Sequence, residues 1–304
     1  MQYRATGYLL EQFSAPAIEA RQVVSAHKQI DELHYQTIKK ARDNCLLAVV
    51  LEERLQLVLD NFKDWEVELL SIAQEFLIWR TVEDVAMQQR LTLDRRLTNV
   101  LTAFRLYLDQ TDHNLSQAFG NPSPELEGIK QLKRSMYDRC FGYRFLEALR
   151  NHVQHCGLPV QEISVNPGFV GSNSDNFGRP VQYFVIPYTT FDILSTSQVF
   201  KKATLDEIKA LGDKIDLRRP IRQYVSCIIE LHHAVRNVFT NIVTASRISF
   251  SNALDDFSEM EGQKILHPKL ECCNDSGEVE EAIELIPDFL ERYDSLCQRS
   301  SNLV

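Results

Sequence analysis

Residues 123–157, SPELEGIKQLKRSMYDRCFGYRFLEALRNHVQHCG, decide how the chain is read. Ile129, Leu132, Met136, Cys140, Tyr143, Leu146, Leu149 and Val153 recur at helical steps and form one apolar stripe. Ser123 before Pro124 is a capped start with Pro in the first turn. Gly157 and Pro159 are stop signals. The stretch predicts one long helix ending beside His155. Helical periodicity puts Arg150 on one flank of the stripe and His152 on the other. Glu147, Asn151 and His155 continue round toward the opposite face.

Upstream, Leu93, Leu97, Val100, Leu101, Phe104 and Leu108 predict a second long helix. Thr81, with Glu83 and Asp84 behind it, opens that helix, and Phe119-Gly120 closes it before the break at Asn121-Pro122-Ser123-Pro124. Phe62–Trp79 reads as an aromatic-rich helix with Trp65 and Phe76 on its buried side. Leu46–Asp60 fits helix or strand. Pro16–Arg42 has helical composition, and residues 1–14 make an extended or irregular start. Downstream, Val160–Val170 and Val181–Pro187 flank the turn-forming run Gly171–Gly178, which predicts a hairpin with a mobile tip.

Thr204 then opens a short helix that Gly212 ends. Pro220 opens a long one, with a seam of Ile221, Val225, Ile228, His232, Val235, Phe239 and Ile242. It ends before Glu261-Gly262. Gln263–Val279 reads as loop, and Glu280–Gln298 as a last helix. The fold class is mostly α, an antiparallel helical bundle with an inserted β-hairpin. Three regions follow: 1–121, a helical region packed on the bundle; 122–260, the helical core, with its hairpin at about 160–187; and 261–304, a loop and C-terminal helix.

The chain has 304 residues, 44% hydrophobic and 25% charged, with net charge −9. That balance is ordinary for a globular protein and excludes a generally basic nucleic-acid coat. A local basic stretch remains. Lys130, Lys133, Arg134, Arg139, Arg144 and Arg150 outnumber Glu125, Glu127, Asp138 and Glu147, which fits either a phosphate footprint or a solvated helix face. The 7 cysteines are odd in number and lack C-x-x-C spacing, so a reducing cytoplasm is expected. No signal peptide or membrane span is visible.

The sequence Arg150-Asn151-His152-Val153-Gln154-His155 carries the chemistry. Cleavage of RNA by its own 2′-hydroxyl needs proton transfer at two oxygens and charge stabilisation at phosphorus. His155 can move protons near neutral pH, and a helix C-terminus favours its imidazolium form. Arg150 suits bidentate phosphate contact. Asn151, one turn before His155, can orient the imidazole or hold a phosphate oxygen. The structural alternative is an Arg150–Glu147 helix pair with a His near the helix end.

An Arg, a polar residue, three spacers and a His at a helix end resembles the R-x4-H motif of HEPN-domain ribonucleases, and the Asn after the Arg adds to the resemblance. The resemblance spans about Ser123 to Met260 and is specific over the motif. It implies a HEPN-like antiparallel bundle and a metal-independent endoribonuclease with Arg150, Asn151 and His155 as catalytic residues. Arg139, Arg144, Glu147 and His152 are the substrate-binding candidates beside them. It also implies an RNA substrate, a homodimer with two motifs in one cleft, and a toxin or antiviral role with an antitoxin or sensor partner. No cofactor, metal or membrane is expected. Cys156-Gly157 follows the motif where some family toxins carry a modifiable Tyr. The alternative from another class is an inert helical scaffold that binds a protein.

Other patterns are weaker. Arg236-Asn237-Val238-Phe239-Thr240-Asn241 echoes the motif with Asn in place of His, but Phe239 belongs to the packing seam. His267, Cys272 and Cys273 lack the separated pairs of a zinc site. His232-His233 point to different faces. No phosphate-binding glycine loop, nucleophile elbow or H-E-x-x-H is present.

Overall fold

A computed structural model describes residues 1–15, 18–79, 83–169, 181–260 and 263–301. In chain order the first elements are β1 (Gln2–Ala15), β2 (Ile18–Ile30), α1 (Glu32–Trp79), α2 (Glu83–Phe119), α3 (Pro124–Arg139) and α4 (Phe141–His155). Then come β3 (Glu162–Phe169), β4 (Val181–Thr190), α5 (Phe191–Ser195), α6 (Lys202–Ala210), β5 (Lys214–Asp216) and α7 (Arg218–Phe257). Last are β6 (Glu259–Met260), β7 (Gln263–Cys273), β8 (Val279–Glu284) and α8 (Asp288–Ser300). The chain is mostly helical with two small antiparallel sheets. Among the described residues no helix is long and apolar enough to cross a membrane.

Two compact units result, and they do not follow the three consecutive regions expected from the sequence. One joins Met1–Glu52 to Arg236–Leu303; the other is Glu53–Val235. The boundaries fall inside α1 and α7.

In the first unit, β7 pairs antiparallel with β1 on one side and with β8 and β6 on the other. β2 extends the sheet beyond β1 in a register running from Tyr3 opposite Ile30 to Ala15 opposite Ile18. Tyr3, Ala5, Ile265, Leu270, Cys272 and Ile283 from the strands pack with Tyr35, Ile38, Phe250, Phe257 and Leu290 from the helices. Gly7 is required where it stands: a Cβ there would meet Ile265 Cγ2 at 2.1 Å, beside a register shift between β1 and β7.

This unit corrects the sequence reading twice. The expected helix over Pro16–Arg42 is strand as far as Ile30, with the helix starting at Glu32; Pro16 itself lies outside the described residues. Pairing with β1 along the whole of β2 overrides the helical propensity of Glu19, Ala20, Arg21 and Gln22. The expected loop over Gln263–Val279 is the central strand β7, and the helix expected from Glu280 is β8 followed by α8. Cys272 and Cys273 are both buried in β7.

In the second unit several local signals act as the sequence predicts. Ser123 caps α3, its hydroxyl accepting from the Leu126 amide at 3.2 Å. α2 ends at Phe119, and Gly120 takes a left-handed φ of 88°. Trp65 is fully buried, while Phe76 is only half-buried. The second unit's part of the α7 seam is buried from Ile221 through Val235, and in the first unit Phe239 is buried and Ile242 half-buried. β3 and β4 form the expected hairpin, and β5 adds a third strand to it. The opening residue Thr81 and the hairpin tip Gly171–Gly178 lie outside the described residues. So do Glu261 and Gly262.

The single helix expected over 123–155 is two, broken at Cys140. Arg144 explains the break. Its Nη1 donates to the carbonyls of Tyr137 and Asp138, each at 2.6 Å, so the guanidinium caps the end of α3 from the first turn of α4.

Candidate functional site

α4 is held by one broad buried face. Tyr143, Phe145, Leu146, Leu149 and His152 are buried. Gly142 lies so close to α7 that a Cβ would sit 2.6 Å from the Pro220 carbonyl oxygen and 2.7 Å from Gln223 Cβ. Tyr143 packs edge-on against Tyr224, ring centroids 4.9 Å apart, and Tyr224 packs edge-on against Phe104 at 4.4 Å. The fully buried Tyr224 hydroxyl donates to the Glu147 carboxylate, and burial drives its pKa well above the ordinary phenol value. Arg105 reaches the other Glu147 oxygen at 3.4 Å and pairs with Asp109 at 2.8 Å.

The helix ends through paired bonds. The amides of Cys156 and Gly157 both donate to the His152 carbonyl, at 2.7 and 3.2 Å. The next strand is fixed by a clamp. Buried Asp94 accepts from the Val160 amide at 2.7 Å, and Arg90 donates to the Val160 carbonyl at 2.9 Å and to Asp94 at 3.1 Å. Burial raises the Asp94 pKa, and the Val160 amide and Arg90 oppose that rise.

The motif residues separate by environment. Arg150 is half-buried; its Nη1 donates to Asn151 Oδ1 at 3.0 Å and its Nε is buried without a partner. Asn151 and His155 are exposed. No hydrogen bond joins His155 to any described residue, so Asn151 orients Arg150 and leaves the imidazole free. The alternative Arg150–Glu147 pair does not form, because Glu147 is taken up by Tyr224 and Arg105.

The four substrate-binding candidates are each engaged or enclosed. Arg144 caps α3 and pairs with Glu207 at 2.6 Å. Arg139 pairs with Glu230 on α7. Glu147, expected to turn toward the open face, points into the bundle. His152, expected on a flank, is only 3% exposed, with its ring 6.2 Å from that of Phe200 and neither ring nitrogen partnered. Burial lowers its pKa, so the neutral ring is favoured. The basic stretch of α3 is largely paired as well: Lys133 with Asp112 at 2.7 Å and Lys130 with Glu127 at 3.0 Å.

The echo at Arg236 is structural. Its guanidinium donates to both oxygens of buried Glu52, at 2.8 and 2.6 Å, and to Ser300 Oγ at 2.5 Å. His232 is buried in the seam and shares a 3.0 Å hydrogen bond with Tyr107. Among the described residues no group of three or more His, Cys, Asp or Glu is placed to hold a metal ion.

The sequence reading missed a cleft at the other end of α4. It measures about 630 Å³ and is walled by Phe141, Tyr188, Leu211, Ile215 and Pro220, with Lys214, Glu207, Asp216, Arg219 and Gln223 on its rim. A shallower depression of about 380 Å³ shares Asp216, Arg219 and Gln223 with it. The signal was present as the cations Lys214, Arg218, Arg219 and Arg222 around the start of α7. A scan against protein-family models, a search of the curated proteins and a search of the solved structures each returned no match, so the residues and their geometry carry the functional argument.

Proposed function

We propose that the chain is a metal-independent endoribonuclease of the HEPN type, built on an antiparallel helical bundle and acting in the cytoplasm. One observation carries the reading: at the end of α4, Arg150 is bonded to Asn151 while His155, one turn on, is exposed and bonded to no described residue. A cation pre-oriented by a neighbouring amide, with a free imidazole one turn beyond that amide, suits phosphate binding with proton transfer. Arg150 would hold the scissile phosphate and offset charge in the transition state. His155 would move the proton at the attacking 2′-oxygen or the leaving 5′-oxygen.

The substrate contacts reduce to Arg150, Asn151 and His155, since Arg139, Arg144, Glu147 and His152 are committed to packing and pairing. One His serves one oxygen, so a homodimer that brings two motifs to one phosphate completes the chemistry. A toxin or antiviral role, with an antitoxin or sensor as partner, accompanies this reading. The test is cleavage of a mixed RNA pool by the wild type and by the Arg150→Ala, His155→Ala double variant at matched melting temperature. Loss of cleavage in the variant supports the proposal, and equal cleavage rejects it.

A second reading, a catalytically inert interaction module, has its own support. Val67, Leu70, Leu77 and Ile78 are exposed along α1, and Met87 and Leu91 are exposed on α2. Apolar residues spaced along a helix face suit a protein partner. Under that reading, substituting the exposed leucines changes association while the motif variant changes nothing.

A further inference from the structure

We propose that the cleft beside the start of α7 binds a small aromatic anion. Its volume of about 630 Å³ is that of a small-molecule site. Two half-exposed rings, Phe141 and Tyr188, stand among its walls with Leu211, Ile215 and Pro220, so a flat apolar body is favoured inside.

The rim charges decide the sign of the ligand. Lys214 is neutralised by Glu162 at 2.6 Å, Glu207 by Arg144 at 2.6 Å, and Asp216 by Arg218 at 2.7 Å. Arg219 is exposed and has no ion-pair partner among the described residues. It also lines the adjoining depression. One uncompensated guanidinium over an apolar cleft recruits a carboxylate or an equivalent oxyanion. The ligand class is therefore a planar aromatic ring system carrying one anionic group.

The site is separate from the motif. Phe141 begins α4 and His155 ends it, a separation of about 20 Å along the helix. The inference therefore stands whether or not the chain cleaves RNA.

Isothermal titration with indole-3-acetate, and with its uncharged amide as control, tests the proposal on the full chain. The acid should bind with a Kd on the order of 1 mM or tighter, given its size, and the amide more weakly. Arg219→Ala should weaken the acid by about tenfold, the loss of one charge-assisted contact, and leave the amide unchanged. Ala210→Trp, an exposed substitution on the cleft wall, should block both. Equal binding of acid and amide by the wild type, undiminished acid binding by Arg219→Ala, or no binding of the acid at all would each overturn it.

Discussion

The Tyr224 hydroxyl donates to the Glu147 carboxylate and so ties the motif helix α4 to α7 from inside the bundle. Glu147 belongs to the frame that holds Arg150 in place, one turn before it. Tyr224→Phe should lower unfolding free energy by about 1.5–3 kcal/mol, the range for a lost hydrogen bond to a charged group. Urea denaturation measures this. An unchanged midpoint would show that the bond contributes nothing.

Two glycines that look alike in sequence should respond oppositely to alanine. Gly142→Ala drives a methyl group into the Pro220 carbonyl and the Gln223 side chain, and should destabilise by about 1–3 kcal/mol. Gly128 in α3 has open space around it, so Gly128→Ala should stabilise by about 0.5–1 kcal/mol through helix propensity. Thermal melts of the two variants give the comparison directly.

His152 makes the fold sensitive to mild acid. Its folded pKa lies below the ordinary 6.5 because the ring is buried. Between the folded value and 6.5 the unfolded chain binds the extra proton, so stability is fully present above 6.5 and falls as pH drops below it. His152→Leu should flatten that part of the stability–pH curve. A slope identical to the wild type would remove His152 as its cause.

Arg236 and Glu52 form a buried pair whose loss should be costly. Arg236→Ala removes the bidentate ion-pair partner of the Glu52 carboxylate, whose side chain is only 3% exposed. The expected destabilisation is about 3–5 kcal/mol. Asn241→Ala, at the exposed position where the echoed motif has Asn for His, should change stability by less than about 0.5 kcal/mol. Equal effects would contradict the structural role assigned to Arg236.

What the sequence made legible follows from which forces acted locally. The cap at Ser123, the end of α2 at Gly120 and the buried seam of α7 are local signals, and each is where the pattern put it. β2 was misread because pairing with the neighbouring β1 outweighs its helical composition, and β7 because its strand state comes from a partner distant in sequence: Arg4 on β1 faces Glu271 on β7. That pair is also chemical. Burial pushes the Glu271 pKa up, but hydrogen bonds from Lys269 and Arg4 outweigh it and hold the carboxylate below its ordinary value. The break at Cys140 was invisible because the apolar stripe runs through it; only the fold-back of Arg144 reveals it. At the site, spacing correctly left Asn151 and His155 exposed. It could not show that Glu147 and His152 are turned inward, since Tyr224, Arg105 and Phe200 come from other elements.

The shared-site proposal predicts non-additive behaviour of mixed subunits. Combining Arg150→Ala chains with His155→Ala chains should give heterodimers whose cleavage rate differs from both mutant homodimers. A chain that is monomeric by light scattering and still cleaves RNA would refute the two-motif site.

The most direct measurement is the product chemistry of RNA cleavage in excess EDTA, read by mass spectrometry of the fragment ends. The account predicts that the wild type still cuts and leaves 2′,3′-cyclic phosphates, and that Arg150→Ala and His155→Ala each abolish them. Cleavage that stops in EDTA and returns with a divalent ion, or that persists in both variants, would contradict it.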